Sequence, residues 1–288
     1  MFRRRCSFRI FLLFLIIFGV LFWLQQMFRS STRGDSSKME SHVLAVLIPF
    51  RDRFSELMIL VPHLHRFLTN QKLTFTLNII NQNDSLRFNR ASLINAGYLL
   101  TKDRADYIAM HDVDLLPLNP NLDYGYPEGD VYHISSPQLH PKYKYKKYIG
   151  GILLVTRIIF EKVNGMSNKY WGWGLEDDEF YQRLKEVGVE VNRPGSEIKT
   201  DRNDTFLHIH SSFRKRDYNK YFNQKEVSRK RDRDTGLSNI RFELTSTSQL
   251  VIDGFPCQVF NVKLFCDYNL TPWCDTAFAT KNRTRKTL

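Results

Sequence analysis

The sequence contains few cysteines, no internal repeat, and no low-complexity segment beyond a short polar stretch near its start. Only four of its 288 residues are cysteine, and their spacing excludes the paired-ligand patterns of a structural zinc site. The absence of a repeated unit excludes a repeat architecture. The length suits one or two domains with a sizeable core.

The amino terminus lacks the small-x-small cleavage site of a secretory signal peptide. Four arginines between positions 3 and 9 precede an apolar run from Ile10 to Leu24. With its neighbours this run approaches the ~20 residues of a membrane-spanning helix, and basic residues favour the cytoplasmic side. We therefore expect an uncleaved signal anchor rather than a cleaved signal peptide. The predicted segments are a cytoplasmic tail, 1–9; a transmembrane anchor, 10–28; a flexible stem, 29–41; and a lumenal domain, 42–288.

A lumenal domain meets an oxidising compartment, where one disulfide is expected. We expect Cys266 to pair with Cys274 across a short loop, which leaves Cys257 as a free thiol. Sequons for N-glycosylation are usable only in the lumen, and they occur at Asn83, Asn203, Asn269 and Asn282.

Acidic residues are fewer than basic ones, and the formal net charge is +12. Two basic runs stand out, FRKRDYNK at 213–220 and SRKRDRD at 228–234. Such runs are typical of nucleic-acid binding, but a lumenal domain meets little nucleic acid, so no nucleic-acid partner is expected. Solvated surfaces are the simplest interpretation; binding of nucleotide phosphates or of an acidic acceptor is the functional alternative.

Apolar periodicity predicts strands alternating with helices, and hence an α/β sheet that is mostly parallel and covered on both faces. Ligands in such sheets bind at the carboxyl ends of the strands. The predicted strands are 43–48, 73–80, 107–110, 149–155 and 206–210; the predicted helices are 54–68, 88–100 and 178–187.

Two short motifs could supply metal ligands. In HDVD a strand delivers Asp112 and Asp114 to its exit, where two carboxylates on one face need a cation or hydrogen bonds; a plain strand-to-turn junction is the alternative. In FLHIH the imidazoles of His208 and His210 face one way. Carboxylate and imidazole together suit Mn²⁺ or a similar divalent ion better than a closed zinc site.

The stretch YWGWGLEDDEF contains four consecutive carboxylates. Asp178 and Glu179 are predicted in the first turn of a helix, where the helix dipole favours negative charge. Glu176 and Asp177 are predicted just before that helix, beside Trp173. An aromatic ring can cover a sugar face while a carboxylate accepts a hydroxyl proton, so this stretch predicts a sugar site.

Arginines follow the first predicted strand and begin the second predicted helix. Arg51 and Arg53 lie in PFRDR, and Arg90 follows Phe88 in RFNRA. Guanidinium groups and a helix amino terminus both suit phosphate. Each arginine taken alone could equally be an ordinary surface residue.

The motifs PFRDR, FNRA, HDVD, YIGG and WGWGLEDDEF, followed by a distal histidine, resemble the β-1,4-galactosyltransferase family over about 43–250. The HIH motif resembles the branch that adds galactose to xylose on proteoglycan core proteins. The resemblance implies a glycosyltransferase A-type, Rossmann-like domain in a single-pass type II Golgi membrane protein. It also implies inverting transfer from UDP-galactose, dependent on Mn²⁺.

The resemblance further implies a role for each matching position. Asp114, His208 and His210 would hold Mn²⁺, Asp177 would be the base, and Glu176 would bind sugar hydroxyls. Tyr148 and Trp173 would shape the sugar sites. The nucleotide pocket would comprise Pro49, Phe50, Arg51, Arg53, Phe88, Arg90, Asp112 and Val113.

One position departs from the family pattern: Leu175 stands where glycine or arginine is expected. Two other functions are compatible with the same residues. One is transfer to N-acetylglucosamine, or from an N-acetylgalactosamine donor, by an enzyme of the same fold. The other is a non-catalytic sugar-binding module.

Overall fold

The computed structural model describes residues 42–210 and 214–285. No helix within these ranges is long and apolar enough to cross a membrane. The predicted tail, anchor and stem, at 1–9, 10–28 and 29–41, lie outside the described residues.

A mixed seven-stranded sheet forms the centre of the domain, with strand order β5-β6-β3-β1-β2-β9-β8. The mostly parallel prediction is therefore only half right, because β1, β2, β3 and β9 pair in parallel while β5, β6 and β8 are antiparallel. Two further short strands, β4 and β7, pair separately. The strands are β1 Val43–Phe50, β2 Thr74–Gln82, β3 Tyr107–His111, β4 Leu115–Pro117, β5 Val131–His133, β6 Ile152–Thr156, β7 Phe206–His208, β8 Phe242–Ile252 and β9 Phe255–Leu264.

Helices cover both faces of the sheet. Alternation along β1 places Leu44, Val46 and Ile48 in the core cluster beneath α1, and Ala45 and Leu47 in the cluster beneath α2, α3 and α4, as expected of a strand buried on both faces. The helices are α1 Phe54–Asn70, α2 Arg90–Thr101, α3 Arg157–Lys162, α4 Glu176–Glu186, α5 Arg202–Thr205, α6 Gln224–Val227 and α7 Thr276–Arg285.

A long hairpin of β8 and β9, absent from the prediction, adds to the sheet beside β2. Its turn is Asp253-Gly254, and both residues have positive φ, 49° and 82°. Aspartate-glycine between two runs of strand-forming residues is a strong hairpin signal, so the sequence did carry the information.

The carboxyl-terminal segment contains the predicted disulfide. Cys266 and Cys274 are bonded, with their Cα atoms 6.1 Å apart, and Cys257 is a buried free thiol. Among the sequons, the side chains of Asn83, Asn203 and Asn269 are exposed. Glycosylation of the four asparagines stays a prediction.

Candidate functional site

A cavity of about 370 Å³ opens beyond the carboxyl end of β3, at the edge where ligands of α/β sheets bind. It brings together eight of the residues predicted to bind the metal, the nucleotide or the sugars. They are Arg90, Asp112, Asp114, Tyr148, Trp173, Glu176, Asp177 and His208.

One end of the cavity carries a cluster of metal-ligand type. The antiparallel pairing of β4 with β7 sets Leu115 opposite His208, which joins two segments far apart in the chain. Asp114 Oδ2 is 2.9 Å from His210 Nδ1 and 3.7 Å from His208 Nε2. One ligand atom from each of the three residues lies within 4.8 Å of the other two. This carboxylate and these two imidazoles suit Mn²⁺ and related divalent ions.

The hydrogen bonds of His210 test whether a cation fits there. Its Nδ1 faces the Asp114 carboxylate, and its Nε2 lies 3.0 Å from the carbonyl oxygen of Arg214. Both partners are acceptors, whereas a neutral imidazole has one N–H. With a cation beside Nδ1, the Nε2–H donates to the carbonyl, the arrangement usual for a metal-bound histidine. The donor set therefore fits a divalent cation.

The other end of the cavity is the first turn of α4. The helix begins at Glu176, so the prediction that Glu176 and Asp177 precede it is wrong: all four carboxylates lie in its first turn. Periodicity located only the apolar residues from Phe180 onward, and carboxylates leave no such signal. Leu175 caps the helix in the left-handed region, φ 75°, a conformation that favours glycine, and its side chain lines the cavity.

The four carboxylates divide into two kinds. Glu179 is buried and paired with Arg183 at 2.9 Å and Arg231 at 2.7 Å, which is a structural role, as predicted. Asp178, also predicted to be structural, instead lines the cavity beside Glu176 and Asp177 and accepts a hydrogen bond from Tyr145. Three of these four acids therefore face the cavity.

Burial and the closeness of these acids to one another raise their pKa values. Burial and the neighbouring carboxylates of Glu176 and Asp178 raise the pKa of Asp177 to about 8, against a smaller opposing effect of Arg90. Burial also raises the pKa of Glu176. Arg90 compensates only in part because its Nε already binds Asp112 Oδ1 at 2.7 Å. Asp177 is thus a carboxylate with an enhanced proton affinity, as a general base requires.

Gly150 makes room for Asp177. A Cβ atom at Gly150 would lie 2.8 Å from Asp177 Oδ2 and 2.8 Å from the Tyr148 ring. The glycine of the YIGG motif therefore lets the backbone approach the acid closely. His133 Nε2 donates to the Gly150 carbonyl at 2.8 Å, and this hydrogen bond holds the backbone of Gly150 in place.

Aromatic rings form the wall between the two ends of the cavity. Trp173 packs edge-on against Tyr218 at 4.8 Å, and the Arg216 guanidinium lies 5.1 Å from its ring centre. Tyr143 and Tyr145 complete the wall beside Tyr148. The sequence prediction missed both tyrosines and Tyr218, although the alternation KYKYKKY at 142–148 could have indicated an aromatic face.

His140 was also missed, although its ring lines the cavity. Its Nδ1 accepts hydrogen bonds from the backbone N–H groups of Lys142 and Tyr143, both at 3.0 Å. Burial lowers the pKa of His140 to about 4. The ring is therefore neutral with its proton on Nε2, and its centre is 6.3 Å from that of His208.

The other predicted nucleotide-binding residues lie outside the cavity lining. Arg51 donates to the Leu86 carbonyl at 2.7 Å and lies over the Phe88 ring, while Arg53 pairs with Glu56 at 3.4 Å. Pro49 and Phe50 end β1, and Val113 is buried in the core. These residues follow β1 and β3, so they stand at the same edge of the sheet as the cavity.

A loop carrying Arg216, Tyr218 and Lys220 closes the cavity on its outer side. It is held by Arg87, which the sequence prediction did not single out. Arg87 is buried and pairs with Asp217 at 2.6 Å, and it donates to Gln224 and to the carbonyls of Asn219 and Trp273.

Comparison with known proteins identifies relatives over almost the whole chain. Residues 31–126 match the N-terminal region of glycosyl transferase group 7, and residues 131–209 match the N-terminal domain of galactosyltransferase. A beta-1,4-galactosyltransferase 7 of Mus musculus is 46% identical over 94% of this chain and 91% of its own length. The Drosophila melanogaster protein of that name is 55% identical over 81% of this chain and 73% of its own. A xylosylprotein 4-beta-galactosyltransferase of Caenorhabditis elegans is 50% identical over 81% and 82%.

Two solved structures share the fold. The catalytic domain of Drosophila beta-1,4-galactosyltransferase 7 in complex with xylobiose is 55% identical, with a TM-score of 0.80 over 81% of this chain and 99% of that one. A mutant of the same enzyme, in complex with manganese, UDP-Gal and xylobiose, is 54% identical, with a TM-score of 0.80 over 82% and 99%.

Proposed function

Because the chain belongs to the β-1,4-galactosyltransferase family, we propose that it transfers galactose from UDP-galactose to the 4-hydroxyl of xylose, with inversion at the anomeric carbon and with Mn²⁺ as cofactor. The names and complexes of its relatives support each part: xylose as acceptor, UDP-Gal as donor and manganese as metal. The observation that carries the proposal is that Asp177, Asp114 and His208 line one cavity, with His210 completing the metal-ligand cluster beside it.

Asp177 removes the proton from the attacking hydroxyl, because it combines access to the cavity with a raised proton affinity. Trp173 and the tyrosines cover the apolar faces of the sugars. Arg90 neutralises part of the acidic charge around Asp177 and Glu176, and Glu176 binds sugar hydroxyls. Asp114, His208 and His210 hold the cation, which supplies positive charge against the departing diphosphate.

The wider biological role is part of the same proposal. The acceptor is xylose on a proteoglycan core protein, and the product is an early unit of a glycosaminoglycan linker. The protein is a single-pass type II Golgi membrane protein with its catalytic domain in the lumen. The basic cluster and apolar run of the first 28 residues support this placement.

An acceptor panel tests the function. The full-length chain is incubated with Mn²⁺, UDP-galactose and either a β-xyloside, an N-acetylglucosaminide or no acceptor, and the released UDP is measured. We expect turnover with the xyloside alone. Equal or greater turnover with the N-acetylglucosaminide would reassign the acceptor, and binding of xyloside and UDP without turnover would indicate a sugar-binding module.

A further inference from the structure

The segment 142–147 has two chemically different faces. Its sequence alternates lysine and tyrosine, KYKYKK. Tyr143 and Tyr145 line the cavity, whereas Lys142, Lys144, Lys146 and Lys147 are all exposed. One strip of chain thus presents aromatic rings to the sugar site and ammonium groups to the solvent at its rim.

The lysine face has few acidic partners. Within residues 42–210 and 214–285, none of the four lysines forms an ion pair. Lys142 lies 5.8 Å from the Tyr143 ring centre. The positive charge of Lys147 lowers the pKa of the Asp178 carboxylate, against the larger effect of burial. Lys144 and Lys146 therefore have the least compensated charges. The basic run at 228–234 is different, because Arg231 and Arg233 are both paired with Glu186.

The segment is also held in place. Arg202 donates to the His140 carbonyl at 2.7 Å, and Arg193 donates to the Lys146 carbonyl at 3.0 Å. The ring of His140 accepts from the next backbone turn. The bracing fixes the backbone that carries the lysines, and it adds two further positive charges beneath them.

We propose that Lys144 and Lys146 form a docking surface for an acidic segment of the acceptor polypeptide, next to the residue that carries the xylose. This inference rests on the proposed function. A cavity of about 370 Å³ is of a size that takes small ligands, so the polypeptide bearing the sugar stays outside. The lysine face adjoins Tyr143 and Tyr145, which line the cavity, and carboxylates complement its charge.

The test compares three acceptors with the full-length chain. They are a plain β-xyloside, a xylosylated peptide with acidic flanks, and the same peptide with glutamine and asparagine in place of the acids. For the wild type we expect a lower KM for the acidic peptide than for the neutral one, a difference that shrinks as salt is added. In the double variant Lys144→Glu/Lys146→Glu we expect the KM for the acidic peptide to rise about threefold to tenfold, with kcat and the KM for the xyloside unchanged.

A matched control reverses two lysines elsewhere. Lys102 precedes β3 and Lys162 ends α3, so both lie towards the edge of the sheet opposite the cavity. The variant Lys102→Glu/Lys162→Glu should leave all three KM values unchanged, which separates a local effect from one of net charge.

The outcomes separate the two proposals. No turnover of the plain xyloside by the wild type refutes the proposed function. Turnover of the xyloside with equal KM values for the acidic and neutral peptides refutes the docking surface alone. A charge reversal that raises the KM for the xyloside as well would place the lysines in the sugar site. Inhibition by dextran sulfate that the reversal abolishes, with equal peptide KM values, would assign the surface to anionic polysaccharide instead.

Discussion

The two ends of the cavity treat negative charge in opposite ways. At one end a single carboxylate, Asp114, faces the imidazoles of His208 and His210. At the other end Glu176, Asp177 and Asp178 stand side by side in one helix turn. The cation that acts on Glu176 and Asp177 is Arg90, which is already bound to Asp112. The first arrangement is suited to holding a positive ion, and the second raises the pKa of Asp177.

This difference shows how one cavity can hold two chemically distinct carboxylates. A carboxylate beside two imidazoles has the surroundings of a metal ligand, while a buried carboxylate among other carboxylates has a raised pKa, as Asp177 does. The partial positive charge at the amino terminus of α4 offsets part of the repulsion between these carboxylates. The residue type alone does not distinguish these roles; the groups around each carboxylate do.

The largest expected effect comes from removing the base at the acidic end. Asp177→Asn should fold and bind UDP in the presence of Mn²⁺, but turnover should fall by about 10²- to 10⁴-fold, the usual value of general base catalysis. Galactose transfer to a xyloside and equilibrium binding of UDP measure the two properties. The control is Glu190→Gln, an exposed carboxylate that should not alter turnover. Near-normal transfer by Asp177→Asn would show that another group takes the proton.

A smaller loss is expected at the cation end, and it should affect binding rather than proton transfer. His208→Ala removes one of three ligands, so we expect Mn²⁺ affinity to fall on the order of tenfold to a hundredfold. Titration of the protein with Mn²⁺, followed by electron paramagnetic resonance, measures this without reference to activity.

The matched control is His65→Ala, a histidine that packs against Phe75 and Phe255. It should leave the titration unchanged. An unaltered Mn²⁺ titration for His208→Ala would show that His208 is not a metal ligand. The two ends of the cavity would then not differ in the way described above.

The smallest effect concerns stability and pH. Since the pKa of Asp177 rises on folding, from 3.8 to about 8, its ionisation disfavours the folded state progressively as pH increases between those values. Asp177→Asn lacks this penalty. Its Tm should therefore exceed that of the wild type by a few degrees at about pH 8 and by much less at about pH 5, as measured by thermal unfolding without cation or donor. A Tm difference that is constant over this range would mean that Asp177 titrates normally.

Much of the amino-terminal half of the domain could be predicted because its elements are regular. The predicted strand 43–48 and helix 54–68 correspond to Val43–Phe50 and Phe54–Asn70. Strands buried on both faces and amphipathic helices carry their periodicity within a few residues, so local sequence is sufficient. The disulfide was also predicted correctly, because Cys266 and Cys274 are close in sequence and a short loop joins them.

The remainder depends on contacts between distant residues. The predicted strand 206–210 is only Phe206–His208, because its short antiparallel partner β4 begins at Leu115, the residue opposite His208. His140 was missed because its ring is held at the cavity by hydrogen bonds from a backbone turn. Arg87 was missed because its partners are far away in sequence. A local pattern cannot register either feature.

The partners of Arg87 are translated much later than Arg87 itself. They lie between 130 and 186 positions further along the chain, and the last of them, Trp273, precedes the second cysteine of the disulfide. Before this segment is made, Arg87 can bind the loop at 217–224 but lacks its contact with the Trp273 carbonyl. The full set of Arg87 contacts behind the wall of the cavity therefore forms only after Trp273 has been made.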